Sequence, residues 1–269
     1  MEHFKHIHPT SQIHSGATIG KGVTIEPYAI LASPHIVVED GVTVRAHAYI
    51  DGHTTIGEGT VIYPGAVIGT KTQDRKFRGE RTFVRIGKRC EIREFVTINS
   101  SCGEDSSVEV GDDCLVMAYC HIAHNCTVER GVIMSNNATL AGHVHVEEYA
   151  IIGGHTPIHQ FTRIGRYAMV GGMSRVTHDF PPFLIGAGVP CKFGGINSVG
   201  LKRHGFSLEV RQELMQAFRI LYRSNLPFKE ALQRIETELQ PFAEIQHFLR
   251  FCRSTQRGIM GLQEEVTPE

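Results

Sequence analysis

VGDDCLVMAYCHIAHNCTVERGVIMSNNATLAGHVHVEEYAIIGGHTPIHQFTRIGRYAMV, residues 110–170, decides the fold, because one residue in every six is apolar and no other period is kept as strictly. The run goes Val110, Val116, Ile122, Val128, Met134, Leu140, Val146, Ile152, Ile158, Ile164 and Val170, and Val176 continues it without a slip. A helix of period 3.6 drifts against a spacing of six, so this stripe is not the face of a helix. The spacing is already present upstream at Ile7, Ile13, Ile19, Ile25 and Leu31. After one extra residue it resumes at Val38, Val44, Ile50, Ile56, Ile62 and Ile68, and it returns at Ile86, Ile92 and Ile98. Two interruptions, over roughly residues 70–85 (TKTQDRKFRGERTFVR) and near 100–109, are expected to leave a regular shaft as loops.

The position four after each apolar residue is mostly small, as at Ala17, Ala29, Ala48, Ala66, Ala138, Ala150 and Ala168. Cys90, Cys114, Cys120 and Cys126 occupy the same position and are expected to be small apolar filler. Glycine recurs just after the apolar residue, for example at Gly57, Gly111 and Gly153, where a sharp turn or a close backbone is expected. Hexapeptide repeats are the signature of a parallel β-helix. The form here resembles the left-handed class, with three hexads to a coil. That hand comes from the resemblance, since ordinary parallel crossovers are right-handed.

Beyond Val176 the register ends near HDFPPF, and after residue 190 the pattern turns helical. Val210, Leu214, Phe218 and Leu221 share one face, followed by Phe228, Leu232, Ile235 and Leu239, then by Phe242, Ile245 and Leu249. Three main helices are expected, with Ser207 as an N-cap and Pro227 and Pro241 at helix starts. The expected organisation is therefore a left-handed parallel β-helix over 1–190 with a loop excursion near 70–85, and a helical domain over 191–269.

Composition narrows the function classes. The 27 basic and 28 acidic residues leave a net charge of -1, so no overall field points to nucleic acid or to an anionic membrane. The start, MEHFKHIHPTSQ, has no apolar signal core, and no stretch approaches the roughly 18 apolar residues of a spanning helix. A cytoplasmic protein without membrane insertion is expected. The 7 cysteines contain no C-x-x-C pair, so neither a disulfide framework nor a zinc ribbon is indicated.

Coil arithmetic locates a candidate site. In an 18-residue coil, His124, Gly142 and Gln160 stack in adjacent strands about 4.8 Å apart. Asn125, His143 and Phe161 flank them on one side, and Ala123, Ala141 and His159 on the other. Four histidines (His121, His124, His143 and His159) thus gather on one edge beside a glycine amide. A neutral imidazole suits general-base work near neutral pH, and a glycine lets an electrophile approach a backbone N–H. Acyl transfer to a hydroxyl fits that pair. No serine or cysteine in the stack offers a covalent nucleophile, so direct attack by the substrate is simpler.

The segments HIAHNCTV, NNATLAGHV, IIGGHTPIHQF and GLKRHGF, with TQDRKFRGE in the loop, resemble the acyl-ACP:UDP-N-acetylglucosamine O-acyltransferase family, which starts lipid A synthesis. The likeness runs over nearly the whole chain. It implies a homotrimer with the active site in the cleft between neighbours, acylated acyl carrier protein as donor and UDP-N-acetylglucosamine as acceptor. It implies no cofactor and no metal. By the same resemblance, His124 is the general base on the sugar 3-hydroxyl, and the Gly142 N–H stabilises the oxyanion. Gln73 and Asp74 match loop positions near the sugar, and Lys76, His121, His143, His159 and Gln160 match the polar lining of the cleft. Asn197 and Arg203 match positions at the UDP end.

Gly172 matches a position that governs acyl length, and glycine there is expected to admit a long chain of about 14 carbons, with Met173 beside it, because groove depth limits what it buries. Three positions depart from the family pattern. Asn125 stands where an aspartate is frequent, so the resemblance does not carry a carboxylate dyad with His124 over to this chain. Val199 replaces a glutamate and His204 an arginine, so weaker or rebuilt nucleotide contacts are expected. The rival functions are a related hexapeptide N-acyltransferase acting on a UDP-glucosamine derivative, a zinc hydratase on the same fold and a purely structural solenoid.

Overall fold

The computed structural model describes residues 6–262. The outer ends of the two expected domains, at 1 and 269, therefore lie outside the described residues. Short strands, most of them two residues long, follow one another along three faces of a prism, and the chain visits the faces in rotation. The first face begins at His6–Ile7 and carries 11 strands, while the second begins at Gln12–Ile13 and the third at Thr18–Ile19, each with 8. Every neighbouring pair in the shaft is parallel, with Ile122 beside Leu140 and Leu140 beside Ile158. The architecture is the parallel β-helix that the six-residue stripe implies, of the left hand that the resemblance adds.

The stripe is the core. Ile25, Ile50, Ile62, Ile92, Ile122, Leu140 and Val170 are each 0% exposed. The small residues four places on are buried as well, including Ala29, Ala66 and Cys126 at 0%. Burial raises the Cys120 thiol to about 11 and the Cys126 thiol to about 12, so both remain protonated packing groups. The glycines after the stripe answer to close approach. A Cβ on Gly57 would stand 2.5 Å from the Gly87 carbonyl carbon, and one on Gly153 would stand 2.3 Å from the Gly172 nitrogen. No side chain fits between coils at those points.

Both interruptions show in the register. Ile62 pairs with Ile92 and Val67 with Thr97, a separation of 30 residues where an intact coil has 18, so twelve residues leave the shaft over about 71–82. Ile98 pairs with Ile122, a separation of 24, so six more leave it over about 101–106. Both excursions depart from the corner between the second and third faces.

The C-terminal part differs from expectation in one element. Besides the three long helices, a short α1 (Ser198–Arg203) precedes α2 (Leu208–Arg223), α3 (Phe228–Glu238) and α4 (Ala243–Arg253). Six residues are too few for an apolar period to show, and its signal is local: the Asn197 side chain accepts from the Gly200 N–H as N-cap. Ser207 caps α2 through the Val210 N–H, and Pro227 directly precedes α3. Pro241 stands two places before the first residue of α4. A hairpin of Leu184–Ala187 and Lys192–Ile196 straddles residue 190 and continues the first face.

One buried ion pair clamps the helices to the shaft. The Asp179 side chain is 1% exposed and accepts from Arg163 Nη2 at 2.7 Å, Arg163 Nε at 2.9 Å and the Thr255 hydroxyl at 2.8 Å. Arg163 also donates to the Phe251 carbonyl and packs over the Phe251 ring. His247 on α4 meets Glu147 of the shaft at 2.8 Å.

Candidate active site

The corner between the second and third faces assembles most of the residues singled out in the sequence. His121 stands on the second face with its Nδ1 2.7 Å from the Thr97 hydroxyl one coil below, and burial lowers its pKa. Three residues on, at the turn, is His124. A Cβ on Gly142 would lie 2.4 Å from Cε1 and Nε2 of the His124 ring, so the imidazole lies flat against a residue that has to be glycine. The His143 ring meets His124 edge to face at 5.1 Å and stacks on Phe161 at 4.5 Å. Burial comes first, and His124 second, in lowering the His143 pKa.

The long excursion closes over this column. Thr72 hangs from the Ser100 hydroxyl, the Thr72 hydroxyl receives the Asp74 N–H, and Asp74 accepts the Lys76 N–H at 2.8 Å. That N–H holds the Asp74 carboxyl below the usual carboxylate range. Asp74 is thereby set 3.7 Å from His124 Nε2, beyond a direct hydrogen bond but close enough for one hydroxyl beside them to bond to both. Gln73 and Lys76 are exposed on the same loop. His159 and Gln160 continue the column, with the His159 Nδ1 3.1 Å from the Gln160 carbonyl.

The Gly142 N–H is a free donor, since among the described residues no carbonyl accepts it while its neighbours Ala141 and His143 are both paired. Asn125 stands beside His124, with its Oδ1 2.9 Å from His124 Nδ1. Two neighbours of this column were not foreseen. Cys102, in the short excursion, holds the Asn125 amide through its own peptide group. His178 lies one coil beyond Gln160 in the same column, with its Nδ1 2.9 Å from the Thr177 hydroxyl. Eighteen-residue arithmetic carried one coil further reaches His178; Cys102 has no such signal, because six extra residues displace it from the regular count.

Other expected positions lie elsewhere on this protomer. Gly172 and Met173 are on the corner between the first and second faces, where Gly172 covers Gly154 and Met173 is 72% exposed. Asn197 and Arg203 stand at the corner between the third and first faces. Asn197 is 6% exposed, with its amide spent on the Tyr167 carbonyl and on the cap of α1. Of the other departures, Val199 is 63% exposed and His204 packs its ring on Tyr149 and Tyr167.

A prism of hexapeptide coils bearing a histidine against a free backbone donor, under a covering loop, has the form of the hexapeptide-repeat transferases. A family model described as bacterial transferase hexapeptide (six repeats) matches residues 35–70 and 107–142. Another, described as UDP N-acetylglucosamine O-acyltransferase, domain 2, matches residues 179–260. The acyl-(acyl-carrier-protein)-UDP-N-acetylglucosamine O-acyltransferase of Chlamydia caviae is 51% identical over 254 residues, covering 94% of this chain and 91% of that protein. The protein of the same name from Chlamydia abortus is 51% identical over 265 residues, 98% of this chain and 95% of that one. Among solved structures, a UDP-N-acetylglucosamine acyltransferase from Bacteroides fragilis matches with a TM-score of 0.91 at 38% identity, covering 94% of this chain and 98% of that one. One from Acinetobacter baumannii gives 0.89 at 33% identity, covering 94% and 99%. The chain belongs to the UDP-N-acetylglucosamine O-acyltransferase family.

Proposed function

We propose that the chain transfers a 3-hydroxyacyl group from acyl carrier protein to the 3-hydroxyl of UDP-N-acetylglucosamine, the first step of lipid A synthesis. The observation that carries this is His124 lying against Gly142, which sets a proton acceptor beside a free N–H donor. His124 Nε2 takes the proton of the sugar hydroxyl as its oxygen attacks the thioester carbonyl carbon. The carbonyl electrons move to oxygen, and the resulting oxyanion is met by the Gly142 N–H. Because Gly142 is buried against the ring, the acyl carbonyl has to seat at the edge of the imidazole. Collapse re-forms the carbonyl, breaks the carbon–sulfur bond, and returns the proton from His124 to the departing thiolate of the carrier. Asp74, Gln73 and Lys76 on the loop, with His121, His143, His159 and Gln160 on the shaft, line the sugar site.

A homotrimer is part of the proposal. His124, Gly172 and Arg203 occupy three different corners of one prism, so a site that uses all of them has to be completed by neighbouring copies. Arg203 is exposed and is a donor for phosphate oxygens at the UDP end. Asn197 serves there by capping α1, the helix that carries Arg203. Glycine at 172 leaves the groove open for a chain of about 14 carbons, and preference for a donor of about 10 carbons would contradict that, since groove depth limits what it buries. No described helix is long and apolar enough to cross a membrane, and a cytoplasmic setting suits a soluble carrier donor.

The test is transfer from 3-hydroxyacyl carrier-protein donors of several lengths to UDP-N-acetylglucosamine, with wild type and His124→Ala side by side. Transfer by the wild type that vanishes in the mutant supports both substrate and base. No transfer with any donor reopens the acceptor, with the amine of a UDP-glucosamine derivative as the next to try.

A further inference from the structure

Three hydrogen bonds around Asn125 determine more than its own position. Its Nδ2 donates to the Cys102 carbonyl at 3.0 Å, and its Oδ1 accepts from the Cys102 N–H at 3.2 Å. A carbonyl only accepts and a peptide N–H only donates, so the amide cannot be flipped without turning both bonds repulsive. The end that faces His124 is therefore the oxygen, at 2.9 Å from Nδ1. An amide oxygen only accepts, so the proton of the neutral imidazole has to sit on Nδ1.

We infer that the Cys102 peptide and Asn125 form a tautomer lock that holds His124 with Nδ1 protonated and Nε2 free. The inference rests on the reading of His124 as the base. A neutral histidine side chain in water favours the opposite tautomer, with the proton on Nε2, which would point a donor at the sugar hydroxyl and leave nothing to accept its proton. The lock reverses that preference without a carboxylate. The six-residue excursion at 101–106 supplies the main-chain peptide that holds Asn125. Asn125 is at φ +57°, a left-handed turn position that asparagine tolerates better than most residues, so backbone and side chain agree on its identity. Asn125 touches no reacting atom, and it is a positioning residue.

The test is 15N NMR of the full-length protein with histidine labelled, the His124 signals being assigned by their loss in His124→Ala. The wild type at neutral pH is expected to show a protonated Nδ1 and an unprotonated Nε2. Asn125→Ala should give a mixture of tautomers and lower kcat by about 100-fold with little change in KM. Asn125→Asp restores an acceptor for the Nδ1 proton but sets a second oxygen against the Cys102 carbonyl. It should recover part of kcat and move the acid limb of the pH profile upward, as a carboxylate stabilises the imidazolium. Asp74, Lys76 and His143, the other charged and titratable groups around the ring, are unchanged in both variants. A wild-type His124 protonated on Nε2 overturns the lock, and so does Asn125→Ala with an unchanged tautomer. A chain that shows the expected tautomer but transfers no acyl group sinks the proposed function and leaves the lock standing.

Discussion

Two corners of the same prism carry the same backbone and put it to opposite uses. Between the second and third faces, Asn125, His143 and Phe161 sit at left-handed φ of 57°, 61° and 62°; between the third and first faces, Tyr149, Tyr167 and Phe183 sit at 57°, 54° and 68°. The first column is open, with Asn125 held by Cys102 of the short excursion, Phe161 51% exposed, and the 71–82 excursion lying over His124. In the second, Tyr149, Tyr167 and Phe183 stack in succession, and His204 and Phe206 close over them from the helical domain. The repeat therefore supplies equivalent positions at every corner, and the side chains at the turn decide whether one becomes a site or a seal. Where the regular coils end just above the open corner, the register shortens by two residues and Asp179, level with Arg163, is 1% exposed as the clamp to the helices.

The sharpest way to separate the two corners is His124→Ala. It should lower kcat/KM by about 1,000-fold, within the range for losing a general base, and leave the melting temperature within error, because the ring packs at the rim of the shaft. A large fall in stability would mean that the open corner is also structural. Asp179→Ala should act the other way, costing about 3 kcal/mol of stability as the Arg163 guanidinium loses its buried partner. Chemical denaturation should then show the helical domain melting ahead of the shaft; a single unshifted transition would deny the clamp.

Gly142→Ala tests how closely the open corner is built. The added methyl would overlap the His124 ring at 2.4 Å, so the imidazole has to swing away and kcat should drop by about 100-fold with a minor change in stability. Tyr167→Ala is its counterpart in the sealed corner. It removes a ring that meets four others and should cost about 2 kcal/mol while leaving kcat in place. If Tyr167→Ala lowers kcat as much as Gly142→Ala does, the corners are not independent.

The shaft was legible because its physics is periodic. Ile122, Leu140 and Ile158 announce one another at 18-residue intervals, and the columns beside them follow by counting, which is how His124, Gly142 and Gln160 could be aligned without coordinates. What counting cannot supply is whatever leaves the coil. The approach of Asp74 to His124 depends on a chain of turn bonds through Ser100 and Thr72. The grip of Cys102 on Asn125 depends on six residues that break the register. Arg203 and Gly172 lie on other corners than His124, and the roles proposed for them rest on family resemblance. The short α1 carries too few residues for an apolar period, and Asn197 reads equally well as a cap or as a ligand.

The smallest effect probes electrostatics on the third face, between the two corners. Glu129 accepts from His145 at 2.7 Å, and this bond, followed by the charges of Arg166 and His247, holds its carboxyl below the usual range against the opposing effect of burial. A carboxylate with a depressed folded pKa adds stability that is fully present above its unfolded value of about 4.3 and is lost as the pH falls through the folded value. Glu129→Gln should therefore be slightly less stable than wild type at neutral pH, by less than about 1 kcal/mol for so exposed a pair. Once the pH has fallen below the depressed folded value the two should converge, because protonation turns the wild-type side chain into a neutral one as well. Melting temperatures measured from pH 7 down to acid should show the gap closing. A gap that persists in acid would mean that Glu129 acts through packing, and the third face would then have to be grouped with the sealed corner.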